Sequence, residues 1–251
     1  MNRKLSVITL VVLMVVPVSA TTINIPADYP AIQLGIDSVS DGDTVLVSPG
    51  IYTENISWPP TNGIKLIGSG EDDCFIDGDS LTSVIRIEAG GNIDMTTLIK
   101  GFTIQNGTTP LNGYPYDCGG GMYLDRSSPT LTGVTFSGNT AIYGGGINLG
   151  NSSPTLIGVT FSDNMASSKG GGIYISGSSI SGSYVLVNNN YSEGHGGGIF
   201  ISAGSNIHLN KSTIASNIVG EGNTFGAGIY ADGGIAIFCL LYTSPSPRDR
   251  G

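Results

Sequence analysis

The chain is predicted to be all-β: a parallel β-helix of short stacked coils, closed at its start by a small capping helix. Three observations predict this. Glycine supplies 39 of 251 residues, about twice its usual share, and its placement is periodic. The last glycines of "GGGMYL", "GGGINL", "GGGIYI", "GGGIFI" and "GAGIYA" are Gly121, Gly146, Gly172, Gly198 and Gly228, at steps of 25, 26, 26 and 30 residues. A second phrase, "SSPTLTGVTFSGN" and then "SSPTLIGVTFSDN", recurs between them, and Asn139, Asn164, Asn190 and Asn217 follow at steps of 25, 26 and 27. Within each copy apolar residues alternate, as in Ile147-Asn148-Leu149 and Ile173-Tyr174-Ile175, which marks short half-buried strands rather than helices. A repeat near 25 residues cannot bury its own apolar face, so coils must stack to make a continuous core.

The elements follow in order. Residues 1–20 have Arg3 and Lys4, an apolar run from Leu5 to Val16 and a small-residue site ending at Ala20; this pattern predicts a secretory signal peptide, with Thr21 as the mature start. Residues 21–57 form the predicted N-terminal cap: a helix over "PADYPAIQLGIDSV", with Asp28 as N-cap and Ile32, Ile36 and Val39 on one face, followed by the first strands in "DGDTVLVSPGIYTENI". Residues 58–238 hold about seven β-helix coils, in which an asparagine column can hydrogen-bond along the stack. Residues 239–251 begin "CLLYTSPSPRD", which breaks from the preceding style and resembles a translated sequencing adapter. On that reading the native chain continues beyond Phe238, a further domain in cis is missing, and residues 21–238 alone aggregate through their open edge.

Setting both ends aside removes Arg3, Lys4, Arg248, Arg250 and Asp249 and leaves six basic and 18 acidic residues, a net charge of −12. Such a surface excludes the electrostatic footprint of nucleic-acid or anionic-membrane binding, and no span for insertion remains after signal cleavage. Cys74 and Cys118 remain, and export permits a disulfide without showing one.

Residues 23–238 resemble the pectin lyase-like superfamily of right-handed parallel β-helices. "INIPADYPAIQLGIDSVSDGDTVLVSPGIYTENI" resembles the capping start of pectinesterase-like and other β-helix proteins. "FIDGDS" and "GFTIQNG" are similar to the same group, and the "GGGI…F-x-x-N" coils are similar to bacterial surface repeats. The resemblance implies the fold far more than an activity, because this fold hosts lyases, hydrolases, esterases and non-catalytic adhesins.

His195, in "SEGHGGGIF", resembles the Gly-His-Gly of pectin-cutting glycosidases. Counting back three from each last glycine, however, gives Cys118, Tyr143, Lys169, His195 and Phe225, a turn position that accepts any residue. Hydrolysis also needs two carboxylates flanking the bond, and the nearby acids Asp163, Glu193 and Glu221 form no evident pair. Glu71, Asp72, Asp73, Asp77 and Asp79 lie within nine residues of a glycine-containing loop. They are either oxygen ligands for calcium or solvated turn carboxylates. Two positions after each last glycine stand Tyr123, Asn148, Tyr174, Phe200 and Tyr230. Alternation points them outward on coils about 4.8 Å apart, as a platform for sugar rings or a partner or as a ladder that stabilises its own sheet. Thr103, Thr135, Thr160 and Thr213 make a partial threonine column interrupted by Leu186. The expected function is a secreted or cell-surface scaffold, non-catalytic, binding a polysaccharide or another surface through one sheet face. The alternative is a polysaccharide lyase or glycoside hydrolase with part of its site beyond Phe238.

Overall fold

The computed structural model describes residues 20–88, 93–110, 113, 116–222, 224–239 and 242–243. The signal peptide predicted for residues 1–20 therefore lies outside the described residues apart from Ala20, as does most of the predicted 239–251 tail. Every strand pairing is parallel, and about eight turns of chain stack into a β-solenoid with three strand-bearing faces.

The first face is the widest. It runs from Thr22–Ile25 and Thr44–Val47 through Lys65–Gly68, Leu98–Gln105, Thr130–Ser137, Thr155–Ser162 and Ser179–Ser183 to Asn206–Asn210 and Ile235–Cys239. Two of the three eight-residue strands turn a corner midway at Gly133 and Gly158, where φ is +53° and +60° and the space beyond is open. The two following coils put Tyr184 and Lys211 at the equivalent corner, also at positive φ. The second face stacks Ile56–Ser57, Ile85–Ile87, Met122–Asp125, Ile147–Gly150, Ile173–Ser176, Ile199–Ile201 and Ile229–Ala231. The third stacks Thr140–Tyr143, Met165–Lys169, Tyr191–Ser192 and Ile218–Val219.

Period-two alternation turns into core columns once the coils are in register. Ile85, Met122, Ile147, Ile173 and Ile199 form one, and Ile87, Leu124, Leu149, Ile175 and Ile201 another, all buried. On the first face Ile104, Phe136, Phe161 and Val187 align, and the Phe136 and Phe161 rings stack at 5.0 Å.

The asparagine column is a buried hydrogen-bond ladder. Asn139 Nδ2 donates to Asn164 Oδ1 at 3.0 Å, Asn164 Nδ2 to Asn190 Oδ1 at 2.9 Å, and Asn190 Nδ2 to Asn217 Oδ1 at 2.9 Å. Each backbone N–H of the first three also donates to the next asparagine's side-chain oxygen. Left-handed backbone geometry, by contrast, falls on the residue before: Gly138, Asp163, Asn189 and Ser216 have φ between 56° and 65°. The glycine triplets provide the close approach that this corner needs. A Cβ on Gly171 would lie 2.3 Å from the Gly197 carbonyl oxygen and 2.4 Å from that of Tyr191.

The cap differs in detail from its prediction. The helix covers only Ile32–Asp37, and its N-cap is Ala31, which has no capping side chain. Asp28 instead accepts hydrogen bonds from Asn24. The role predicted for Asp28 passes to Glu54, whose carboxylate accepts the Ile32 and Gln33 N–H groups at 2.8 and 2.9 Å from 22 and 21 residues away. Cap and coils also merge earlier than residue 57, since Gly50–Thr53 and Ile56–Ser57 already pair with the next coil. At the other end Tyr242–Thr243, within the predicted tail, pairs with Thr213–Ile214.

Candidate functional site: a ring-lined face

The second face carries the five residues singled out from sequence, and its register confirms their column. Arg86 aligns with Tyr123, Tyr123 with Asn148, Asn148 with Tyr174, Tyr174 with Phe200, and Phe200 with Tyr230. The side chains flanking Arg86, Tyr123, Asn148, Tyr174 and Phe200 enter the core, and Ile229 before Tyr230 packs against it, so the column faces away from it. It is nevertheless not an open platform. Tyr123, Asn148 and Phe200 are buried, and Tyr174 and Tyr230 are half-buried.

What covers them is the turn column. Bridges align Cys118 with Tyr143, Tyr143 with Lys169 and Lys169 with His195. Each side chain leans one coil onward onto the face column. The Tyr143 ring meets Tyr174 at 5.2 Å, Lys169 Nζ lies 4.6 Å from the centre of the Phe200 ring, and His195 stacks on Tyr230 at 4.7 Å. The Tyr174 and Phe200 rings stack on each other at 5.2 Å, and at the other end Arg86 covers Tyr123 at 4.4 Å. Two ladders thus interlock on a diagonal, each contact joining one coil to the next. Sequence spacing identified both columns; the lean that unites them depends on side-chain direction, which spacing does not carry.

On the same diagonal Cys118 faces the coil of Asn148, and here the ladder has no ring. A cavity of about 350 Å³ opens at this level, lined by Cys118, Tyr143, Asn148, Gly150, Tyr174 and Ser176. Asn148 is 2% exposed. Its Nδ2 donates to the Tyr143 carbonyl at 3.4 Å. The Cys118 thiol donates to Asp117 Oδ1 at 3.2 Å. Burial, together with that hydrogen bond and the Asp117 charge, pushes its pKa far above the ordinary thiol range. Burial likewise raises the Cys74 thiol. Both cysteines are free, so no disulfide joins them, and neither is poised as a thiolate.

His195 belongs to the ladder. Its Nδ1 accepts the Phe225 N–H at 3.1 Å and its ring also stacks on Phe225 at 5.6 Å. No described carboxylate bonds to it, while Asp163, Glu193 and Glu221 are exposed in separate turns. The ring packs on Phe225 and Tyr230 at the turn position that its spacing implied.

The acidic loop does not gather into a cation site. Glu71 Oε2 accepts from Thr135, Asp73 from Ser69, and Asp77 from the Asp79 N–H, Gln105 and Asn106, while Asp72 and Asp79 are exposed. Among the described residues no three His, Cys, Asp or Glu side chains come together as a metal-holding group. The loop folds over the threonine column, with the Glu71 carbonyl accepting Thr103 Oγ1 at 2.7 Å. Glu71 and Asp77 are thus drawn to different strands, and Asp73 to Ser69 in its own loop. A second, shallower hollow of about 510 Å³ lies on the first face around Ser181, Gly182, Ser183, His208 and Asn210.

Parallel coils, an asparagine ladder and one ring-lined face define a β-solenoid of the right-handed class. The family described as the right-handed β-helix region matches residues 50–238, and the chain belongs to it. Among solved structures the chain is similar to a pectin methylesterase from carrot, at 11% identity and a TM-score of 0.47, over 92% of this chain and 90% of that one. No curated protein sequence matches it significantly. No described helix is long and apolar enough to cross a membrane.

Proposed function

We propose that this chain is a secreted or cell-surface β-helix scaffold that binds a glycan through its ring-lined second face without cleaving it. The observation that carries this reading is the interlocked ladder from Arg86 to Tyr230. Sugar rings present apolar C–H faces to aromatic side chains and hydroxyls to amides; on this face Tyr143, Tyr174 and Tyr230 are half-buried, Phe225 is exposed, and the Asn148 amide lines the cavity, all on a rigid support. The scaffold is suited to the task because parallel coils hold the ring positions at a fixed spacing. A chain with six basic and 18 acidic residues between positions 21 and 238 has little to attract nucleic acid.

The test is binding of the full chain to an array of soluble polysaccharides, with product analysis of any glycan retained. Retention of an intact glycan, reduced by Tyr174→Ala, is expected. Depolymerisation of the bound glycan would replace the scaffold reading with an enzymatic one. Export is tested by N-terminal sequencing of the protein from culture medium, where Thr21 should be the first residue.

A further inference from the structure

The ladder on the second face is interrupted once, and the interruption has the properties of a binding subsite. Above and below, the face position holds an aromatic ring: Tyr123 on one side, Tyr174, Phe200 and Tyr230 on the other. The diagonal partners of the last three are large, Tyr143 on Tyr174, Lys169 over Phe200 and His195 on Tyr230, and Tyr123 is covered by Arg86 of its own column. Only the coil of Asn148 combines two small groups, a carboxamide and the Cys118 thiol, and the cavity of about 350 Å³ is the space their size leaves. The volume lies at the small end of the ~300–1,000 Å³ range of ligand pockets, enough for one sugar unit rather than a chain.

Resting on the glycan-binding reading, we infer that this cavity is the specificity subsite of the face and takes a single uncharged pyranose unit. The ligand's C–H face would lie against Tyr143 and Tyr174 and one hydroxyl would donate to Asn148 Oδ1. Three features point to that chemistry. Tyr143 and Tyr174 contribute aromatic walls whose rings meet at 51°, a corner rather than a closed stack, so a third ring-shaped body can enter. Asn148, 2% exposed, is held by its Nδ2 hydrogen bond to the Tyr143 carbonyl at 3.4 Å, and its carboxamide is the amide of the cavity lining, offering an oxygen to a hydroxyl. Among the described residues the lining includes no carboxylate and no cation, and the nearby Asp117 carboxylate, which accepts from the Cys118 thiol, disfavours a second anion. A uronate carboxylate placed there would be desolvated without a counter-charge, and Lys169, one coil on, is turned over the Phe200 ring.

The decisive variant is Asn148→Phe, which continues the ladder through the gap. Binding of cellohexaose, xylohexaose and mannohexaose, with hexagalacturonate as the charged comparator, is measured by calorimetry on the full chain, alongside thermal melting. The expected result is that at least one neutral hexaose binds better than hexagalacturonate. Asn148→Phe should then weaken it by about tenfold or more, while raising the melting temperature by about 2–4 °C as new ring contacts form. Asn148→Ala, which leaves the cavity open and removes only the acceptor, should weaken binding by several-fold to about tenfold. Neutral binding unaffected by Asn148→Phe in a folded protein would overturn the subsite while leaving glycan binding by the face intact. Preference for hexagalacturonate would overturn the inferred ligand class. Absence of binding to every sugar by the unaltered chain would instead remove the glycan-binding reading itself.

Discussion

Asn164 lies inside the buried ladder, and replacing it with alanine tests whether that ladder holds the coils together. Its side chain makes four hydrogen bonds: it donates to the Phe136 carbonyl at 3.0 Å and Asn190 Oδ1 at 2.9 Å, and accepts from Asn139 N and Nδ2 at 3.1 and 3.0 Å. All are buried, and Asn164 is 1% exposed. At a net contribution of about 1 kcal/mol each, Asn164→Ala should cost about 4 kcal/mol. The Asn139 N–H, left without its acceptor, keeps the loss from falling much below that. For a chain of this size the melting temperature should drop by roughly 8–16 °C. Urea denaturation followed by far-ultraviolet circular dichroism measures the change. Asn164→Leu, which keeps the volume and removes the same bonds, separates hydrogen bonding from packing and should be destabilised by a similar amount. A loss under about 1 kcal/mol for both variants would refute the reasoning, because it would mean that the ladder adds nothing beyond what the strand pairing already supplies.

Three further outcomes are expected. Gly171→Ala should destabilise by at least about 3 kcal/mol or prevent folding, because the new Cβ meets two backbone oxygens closer than 2.5 Å; Gly158→Ala, with open space at φ +60°, should lose only about 1–2 kcal/mol, as paired denaturation curves would show. Burial alone would raise the Asp77 pKa, but the Asp79 N–H, Gln105 and Asn106 donors outweigh it and hold it below the ordinary carboxylate value. Its stabilising contribution is therefore present above about pH 4 and is lost as pH falls through the lowered value, so Asp77→Asn should flatten the stability profile below about pH 4. Finally, Thr21 N donates to Asp43 Oδ1 at 2.6 Å. Cleavage after Ala20 would make that nitrogen a charged ammonium, so a chain starting at Thr21 should melt higher than its N-acetylated form, and Asp43→Asn should erase the difference.

Much of the fold is written in one dimension because a solenoid repeats its chemistry along the chain. The glycine steps, the alternation around Asn148 and Tyr174 and the asparagine spacing each translate into a column, since neighbours in the stack are one repeat apart. Where a contact joins unlike positions, spacing was silent. Glu54 caps the helix in place of Asp28 because the following turn brings its carboxylate beneath the first helical N–H groups. The five acids of residues 71–79 are close in sequence yet diverge, because Glu71 bonds to Thr135, Asp73 to Ser69 and Asp77 to Gln105 and Asn106, while Asp72 and Asp79 are exposed.

The candidate site divides in the same way. Residue order alone placed Tyr123, Asn148, Tyr174, Phe200 and Tyr230 in one outward column, and marked His195 as a turn residue among Cys118, Tyr143, Lys169 and Phe225. Tertiary structure decided that the second column leans one coil onward over the first, covering Tyr174, Phe200 and Tyr230, while Arg86 covers Tyr123. It also decided that the single gap falls where Cys118 and Asn148 meet. The physical reason is that periodicity specifies which residues stack, whereas side-chain direction and size, acting between coils, specify what they cover and what they leave open.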